Sequence, residues 1–205
     1  TPIVTRGLMV KLDASDAQSY PGTGSTWTSV VGGGRNGNIQ GAVSWVGNGQ
    51  SSYFDFPGAN ADKIVQDSGT SILYKDICIV FKVDALSSNF AYLVSNGGDT
   101  SLRVGGASIN NTSGNGGDWS NGGTGTIYYV NGVATTGDVP ITHGQWYILG
   151  GESKVYSSAF NYNLGWGYPG RSLNGKIAFI ALYNTALTAT EQTQNYNAIR
   201  ARFGL

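Results

Sequence analysis

The sequence predicts an all-β chain of many short antiparallel strands, a sandwich or a barrel, closed by one short C-terminal helix. Three observations carry that reading. Apolar residues alternate with a period of two through most segments, the signature of half-buried strands. Glycine supplies 32 of the 205 residues and gathers at segment ends, where tight turns need it. Only the segment from Thr188 onward carries a helical period.

The strands follow in order. Leu8, Val10 and Leu12 share one face of residues 7–13, and Phe54 and Phe56 share one face of residues 53–56. Ile77, Ile79, Phe81 and Val83 alternate through residues 76–84. Residues 91–95, 101–105, 126–131 and 145–150 are further short runs rich in β-branched and aromatic side chains. Asn131-Gly132 stands between Val130 and Val133 and predicts a two-residue hairpin, because both turn positions need positive φ. Residues 176–183 are apolar on both faces and predict a central strand covered on both sides. At the C-terminus, Thr188 and Glu191 form a capping-box pair, and Tyr196, Ile199 and Phe203 form an apolar stripe. Gly204 ends the helix, and Arg200 and Arg202 complement its dipole. Residues 105–125 and 157–172 read as two long loops, of the kind that carry function in small domains.

A length of 205 residues suits one β domain with a sizeable core, so one domain over residues 1–205 is expected. Twelve Lys and Arg offset twelve Asp and Glu, which leaves no basic stripe for nucleic acid and no polybasic anchor for a membrane. Charged residues are only 12% of the chain, about half the usual share, so Gly, Ser, Thr, Asn and Tyr must cover the surface. Cys78 is the sole cysteine, set in an apolar run, and reads as a small buried side chain. It rules out an internal disulfide and a cysteine-based zinc site. The opening residue is Thr1, which reads as a mark of processing or of a longer parent chain.

The run Gly7-Leu8-Met9-Val10-Lys11-Leu12-Asp13-Ala14, followed by Ser19-Tyr20-Pro21-Gly22 and Thr26-Trp27, resembles the opening of laminin-G-like domains of bacteriophage structural and tail proteins. The resemblance continues through the Gly/Asn-rich turn at Gly32–Asn38, Tyr53-Phe54-Asp55-Phe56, Asn60-Ala61-Asp62 and Gln145-Trp146-Tyr147. It closes on Leu173-Asn174-Gly175-Lys176-Ile177-Ala178 and the segment from Tyr183 to Glu191. It implies a concanavalin A-like, two-sheet antiparallel jelly-roll sandwich with first and last strands adjacent, and a virion-surface or extracellular setting. It fixes no ligand, since this fold hosts lectins, glycosidases and spacers alike. The turn after Trp27 lacks the aspartate usual in these domains.

No catalytic residue is assigned. Glycoside hydrolysis commonly needs a carboxylate pair, and the chain has only two glutamates, Glu152 and Glu191, the second committed to the helix cap. His143, the one histidine, lies in a turn, and no Gly-x-Ser-x-Gly elbow occurs. The chain is therefore expected not to be an enzyme. No metal site or cofactor is assigned either. Calcium is the one cation the oxygen donors Asp16, Asp62, Asp99 and Asp118 would suit, but no Asp-x-Asp cluster gathers them, and solvated turn aspartates explain them better.

Aromatics in the two loops are the remaining signal. Trp119 with Asn115 and Asp118, and Tyr162, Trp166 and Tyr168 with Asn161, form a candidate glycan-binding set. Aromatic faces stack on the C–H face of a sugar ring, and amides and carboxylates read its hydroxyls. The same residues would equally suit packing within the loops or against a partner subunit. The expected role is a virion-associated module, on head or tail, that binds glycans. The alternatives are a decoration protein whose partners are other virion proteins, and a glycoside hydrolase. A homo-oligomer is expected, as is common for virion modules.

Overall fold

A computed structural model describes residues 1–67, 69–71, 73–86, 90–97, 101–105, 108–109, 127–152 and 159–205. The strands are β1 (Leu8–Asp13), β2 (Thr26–Trp27), β3 (Gly37–Gln40), β4 (Ser44–Val46), β5 (Tyr53–Pro57), β6 (Lys63–Gln66), β7 (Asp76–Leu86) and β8 (Phe90–Ser95). They continue as β9 (Ser101–Gly105), β10 (Ser108–Ile109), β11 (Tyr128–Val130), β12 (Val133–Thr135), β13 (Val139–Pro140), β14 (Trp146–Glu152), β15 (Asn163–Leu164) and β16 (Leu173–Tyr183). One α-helix, α1 (Ala189–Ile199), follows and runs into a 3-10 turn at Arg200–Arg202.

The described strands form two antiparallel sheets. The first runs β12-β11-β14-β7-β16-β5-β4, and the second runs β13-β10-β9-β8-β15-β6-β3-β2. Strand β16 is the keel of the first sheet. One edge pairs with β7 from Leu173 to Tyr183; the other pairs with β5 at Asn174–Ile177 and with β1 at Phe179–Tyr183. First and last strands are therefore neighbours, as the sequence resemblance implied. The result is the expected all-β, two-sheet jelly-roll sandwich with a short C-terminal helix.

Period-two alternation builds the core. Ile77, Ile79, Phe81 and Val83 point between the sheets, where Leu12, Phe54, Phe56, Ile64, Leu93, Val104 and Leu164 meet them. Cys78 and Val80 point the other way, into a second cluster with Ile148, Phe179, Tyr183 and Ile199. That second cluster lies under α1 and the N-terminal segment, which explains why residues 176–183 are apolar on both faces. A bulge between Ile177 and Phe179 lets Ala178 and Phe179 both face the helix side, while Ile180 and Leu182 return to the inter-sheet core. Burial pushes the Cys78 thiol up to about 12, the inert state expected of a packed side chain.

The predicted hairpin is present: Asn131 has φ 50° and Gly132 φ 78° between β11 and β12. The capping box at Thr188 and Glu191 is also present. Three expectations are corrected. Leu8 does not share the face of Val10 and Leu12, because a bulge between Leu8 and Val10 turns it onto the second cluster. Residues 157–172 are not wholly loop, because β15 inserts between β8 and β6 in the middle of the second sheet. Its two residues are too few for alternation to reveal. Arg202 does not serve the helix dipole; its guanidinium donates to both Asp13 carboxylate oxygens at 2.7 and 3.0 Å.

Candidate functional site

The two sheets differ in what covers their outer faces. The first is roofed by α1. Tyr196, Ile199 and Phe203 pack on it, and Gln192 and Asn195 are buried beneath the helix. Asn195 accepts from the Val4 backbone N–H at 2.8 Å and donates to the Tyr183 hydroxyl at 3.1 Å, which ties the N-terminal segment into the same roof. The second sheet has no such helix among the described residues. Alternation sends Ile39, Ile64, Leu102, Val104 and Leu164 inward, and leaves Asn38, Gln40, Lys63, Asn163, Tyr92 and Arg103 on the outer side.

The segment after β15 lies across part of that outer face. The Gly165 N–H donates to the Leu93 carbonyl at 3.1 Å, and the Ser95 hydroxyl donates to the Trp166 carbonyl at 2.6 Å. Gly167 rests directly on the Tyr92 ring; a Cβ there would fall 2.0 Å from Cδ1, so only glycine fits. The chain then turns through Tyr168–Arg171, with the Arg171 N–H donating to the Tyr168 carbonyl at 3.1 Å. The Asn60 side chain accepts from the Gly170 N–H at 2.6 Å.

Aromatic and cationic side chains converge there. Arg103 stands opposite Tyr92 in the β8–β9 ladder and donates to its hydroxyl at 2.8 Å; Arg171 donates to the same oxygen at 3.4 Å. Both guanidiniums lie over the Phe90 ring, at 4.7 and 5.1 Å from its centre. Arg171 also lies 5.1 Å from the centre of the Tyr168 ring, and the Lys63 ammonium lies 4.4 Å from that of Trp166. Arg103 Nε and Trp166 Nε1 are buried with no acceptor among the described residues. The face is thus rich in donors and aromatic surface. The amides of Asn38, Gln40 and Asn163 extend it along neighbouring strands.

The residues singled out in the sequence divide three ways. Trp119, Asn115 and Asp118 lie outside the described residues. Trp166 and Tyr168 sit on the face just described, Trp166 partly buried and Tyr168 47% exposed. Asn161 is exposed and accepts from the Ser71 hydroxyl at 2.8 Å. Tyr162 is a correction: it is 0% exposed, packs in the inter-sheet core, and donates its hydroxyl to the Arg35 carbonyl at 2.9 Å. Burial pushes its phenol well above the usual range. It cannot stack on a ligand, because β15 turns it inward.

Of the calcium candidates, Asp62 is 2% exposed and its two oxygens accept from the Ala42 and Ala59 N–H groups, each at 2.8 Å. It staples a turn. Asp16 accepts from Gln18 and lies 3.8 Å from Lys11, while Asp99 and Asp118 lie outside the described residues. Sequence reasoning missed Phe90, Tyr92, Arg103, Arg171 and Lys63. One signal was available: Arg103 falls between Leu102 and Val104, so the alternation of its strand already turned a guanidinium away from the core.

No protein-family model matches the chain, and no curated protein matches its sequence. Solved structures do match. A Trypanosoma rangeli sialidase mutant displaying trans-sialidase activity is 14% identical, with TM-score 0.58 over 99% of this chain and 34% of that one. The Trypanosoma rangeli sialidase in complex with sialic acid is 14% identical, with TM-score 0.55 over 98% and 34%. Domain 4 of an extracellular GH43 arabinanase from Geobacillus stearothermophilus, in complex with arabinotriose, is 15% identical, with TM-score 0.49 over 92% and 98%. The chain spans about a third of the length of the sialidase chains. The expectation that this chain is not an enzyme is corrected by this finding, since the fold recurs in sialidases. The scarcity of glutamate behind that expectation speaks to one carboxylate-pair mechanism, not to catalysis as a class. At these identities the likeness shows the fold: a two-sheet sandwich consistent with the concanavalin A-like class.

Proposed function

We propose that this chain is the carbohydrate-recognition unit of a glycan-processing assembly displayed on the outside of a phage-like particle. The observation that carries the reading is the outer face of the second sheet. Trp166 and Tyr168 lie there beside the amides of Asn38, Gln40 and Asn163 and the cations of Lys63, Arg103 and Arg171. Aromatic area with nearby donors and acceptors is the chemistry that grips a sugar ring: the ring face stacks and the polar groups read hydroxyls. The structural likeness to sialidases supports a glycan-processing setting. The low charge and the laminin-G-like opening support the particle surface. Trp119, Asn115 and Asp118 belong to the proposal as a second contact.

Single sites of this shallow kind bind weakly, and display in several copies raises their avidity. The test is a glycan array probed with the multimerised protein and with Trp166→Ala, Tyr168→Ala and Trp119→Ala. Retention of a defined glycan class, reduced at least tenfold by Trp166→Ala or Tyr168→Ala, is the expected result; it corresponds to about 1.4 kcal/mol per anchor. Retention of no glycan by the intact protein would end the reading.

A further inference from the structure

We infer that the β8–β9 end of this face is a subsite for the carboxylate of an acidic sugar, with Arg103 and Arg171 as its clamp. The inference rests on the carbohydrate reading above and narrows it to one ligand chemistry.

The Arg103 side chain hangs from the outer side of β9, between Leu102 and Val104, which enter the core. It is only 6% exposed, yet its one hydrogen-bond acceptor among the described residues is a neutral phenol, the Tyr92 hydroxyl at 2.8 Å. The Phe90 and Tyr92 rings cover its faces, at 4.7 and 5.4 Å from their centres. Its Nε–H is buried and has no acceptor among the described residues. A guanidinium carries five N–H donors and a fixed charge, and burying it without an anion is unfavourable. Ring faces and a phenol offset part of that cost and supply no negative charge.

Arg171 reaches the same Tyr92 oxygen at 3.4 Å and lies over the same Phe90 ring at 5.1 Å, so two cations converge on one phenol and one phenyl ring. Trp166, one residue before the glycine that rests on Tyr92, presents a second buried N–H without an acceptor among the described residues. Lys63 covers the Trp166 ring at 4.4 Å. The strip therefore offers positive charge, unfilled donors and aromatic area together. Its complement is a planar anion with two acceptor oxygens attached to a ring that can stack. A carboxylate matches the guanidinium fork, and a pyranose ring beside it meets Trp166 and Tyr168. A neutral sugar would leave the charge of Arg103 unanswered.

The test compares matched pairs by titration calorimetry at low ionic strength: methyl β-D-glucuronide against methyl β-D-glucoside, and the galacturonide against the galactoside, with sodium acetate as a bare anion. At least one uronide is expected to bind ten-fold or more tightly than its neutral twin, with affinity falling as sodium chloride rises. Arg171→Gln and Arg103→Met are each expected to remove that preference, bringing the uronide's affinity down at least ten-fold relative to that of its neutral twin. Arg171 is partly exposed, so Arg171→Gln keeps the test decisive where Arg103→Met fails to fold. Equal binding of uronide and neutral twin would overturn the inference and leave the carbohydrate reading standing. Acetate binding as tightly as the uronide would overturn it in favour of a simple anion site. No sugar binding at all, on this panel and on the array, would remove both.

Discussion

Arg202 donates to both oxygens of Asp13 and to the Ser15 hydroxyl, and its Nε–H donates to the Gln50 carbonyl at 2.6 Å. The pair joins the end of the chain to β1, and both side chains are largely buried, at 15% and 9% exposure. Burial alone would raise the Asp13 carboxyl, but the hydrogen bonds and charge of Arg202, with help from Ser15, hold it below its ordinary value. A depressed carboxyl contributes stability above its unfolded pKa, and that contribution is lost as pH falls through the folded value. Arg202→Met is expected to destabilise by about 3 kcal/mol, because it strands a buried carboxylate. Adding Asp13→Asn to it is expected to recover part of the loss. Urea unfolding of the three proteins checks both statements. Gly167 gives a second prediction at this scale. Gly167→Ala drives a methyl into the Tyr92 ring, and overpacking of this kind costs about 1–3 kcal/mol. It is expected to lower the thermal midpoint and to weaken any ligand held at Trp166 and Tyr168, read by calorimetry on the same sample.

The helix α1 is an element whose hold on the sheet depends on pH. Asp76, at the start of β7, lies under it: its carboxylate accepts from Gln192 Nε2 at 2.8 and 2.9 Å and from the Leu187 N–H at 2.9 Å. Burial pushes the Asp76 carboxyl up to about 6, against the lowering effect of those hydrogen bonds. The folded protein therefore holds a proton that the unfolded chain releases near pH 4, so stability falls as pH rises from about 4 to about 6. Glu191 acts in the opposite sense. Hydrogen bonds from Arg6, and then from the Thr188 N–H, bring it down to about 2, so its contribution fades as pH falls below about 4.5. Glu191 is partly exposed beside the exposed Arg6, and solvent screens the pair, so its share is the smaller. Denaturant unfolding between pH 3 and 8 is expected to show highest stability near pH 4–5, with a decline of roughly 2–3 kcal/mol toward pH 7 from this group. Asp76→Asn is expected to flatten that decline; an unchanged slope would refute the assignment. The helix also shields the one thiol. Deleting residues 189–205 is expected to make Cys78 react quickly with a thiol reagent in native buffer, where the full chain reacts only on unfolding.

Across the whole molecule, closure of the fold depends on contacts between distant parts of the chain. Strand β1 completes the first sheet only by pairing with β16, and the N-terminal segment is held by Arg6 on Glu191 and by Val4 on Asn195. Such topology places the ordering of nearly the entire chain ahead of its final pairing, and β-sandwiches of this kind refold in milliseconds to seconds. Stopped-flow Trp fluorescence is expected to show that range, with no microsecond phase of full amplitude. Deleting residues 1–6 is expected to speed unfolding more than it slows folding, the outcome for long-range contacts made after the transition state.

Local rules were enough for much of this. Alternation determined β5 and β7 because a side chain in a strand can face only two ways, and a run apolar on both faces marked β16. Asn131-Gly132 determined a hairpin because few residues tolerate positive φ, and Thr188 with Glu191 determined a helix start because orphan N–H groups need acceptors. Tertiary structure decided the rest. It put Tyr162 in the core and left Tyr168 out, although both lie in one glycine-rich stretch, since β15 is too short for a period to appear. It gave Arg202 to Asp13 rather than to the helix dipole, and Arg103 to Tyr92, because partners distant in sequence have no periodic signature. Sequence set which side chains turn inward or outward along β5 and β7. Only the packing of the sheets decided that one outer face would be roofed by α1 and that the other would gather its aromatics and cations into a single strip.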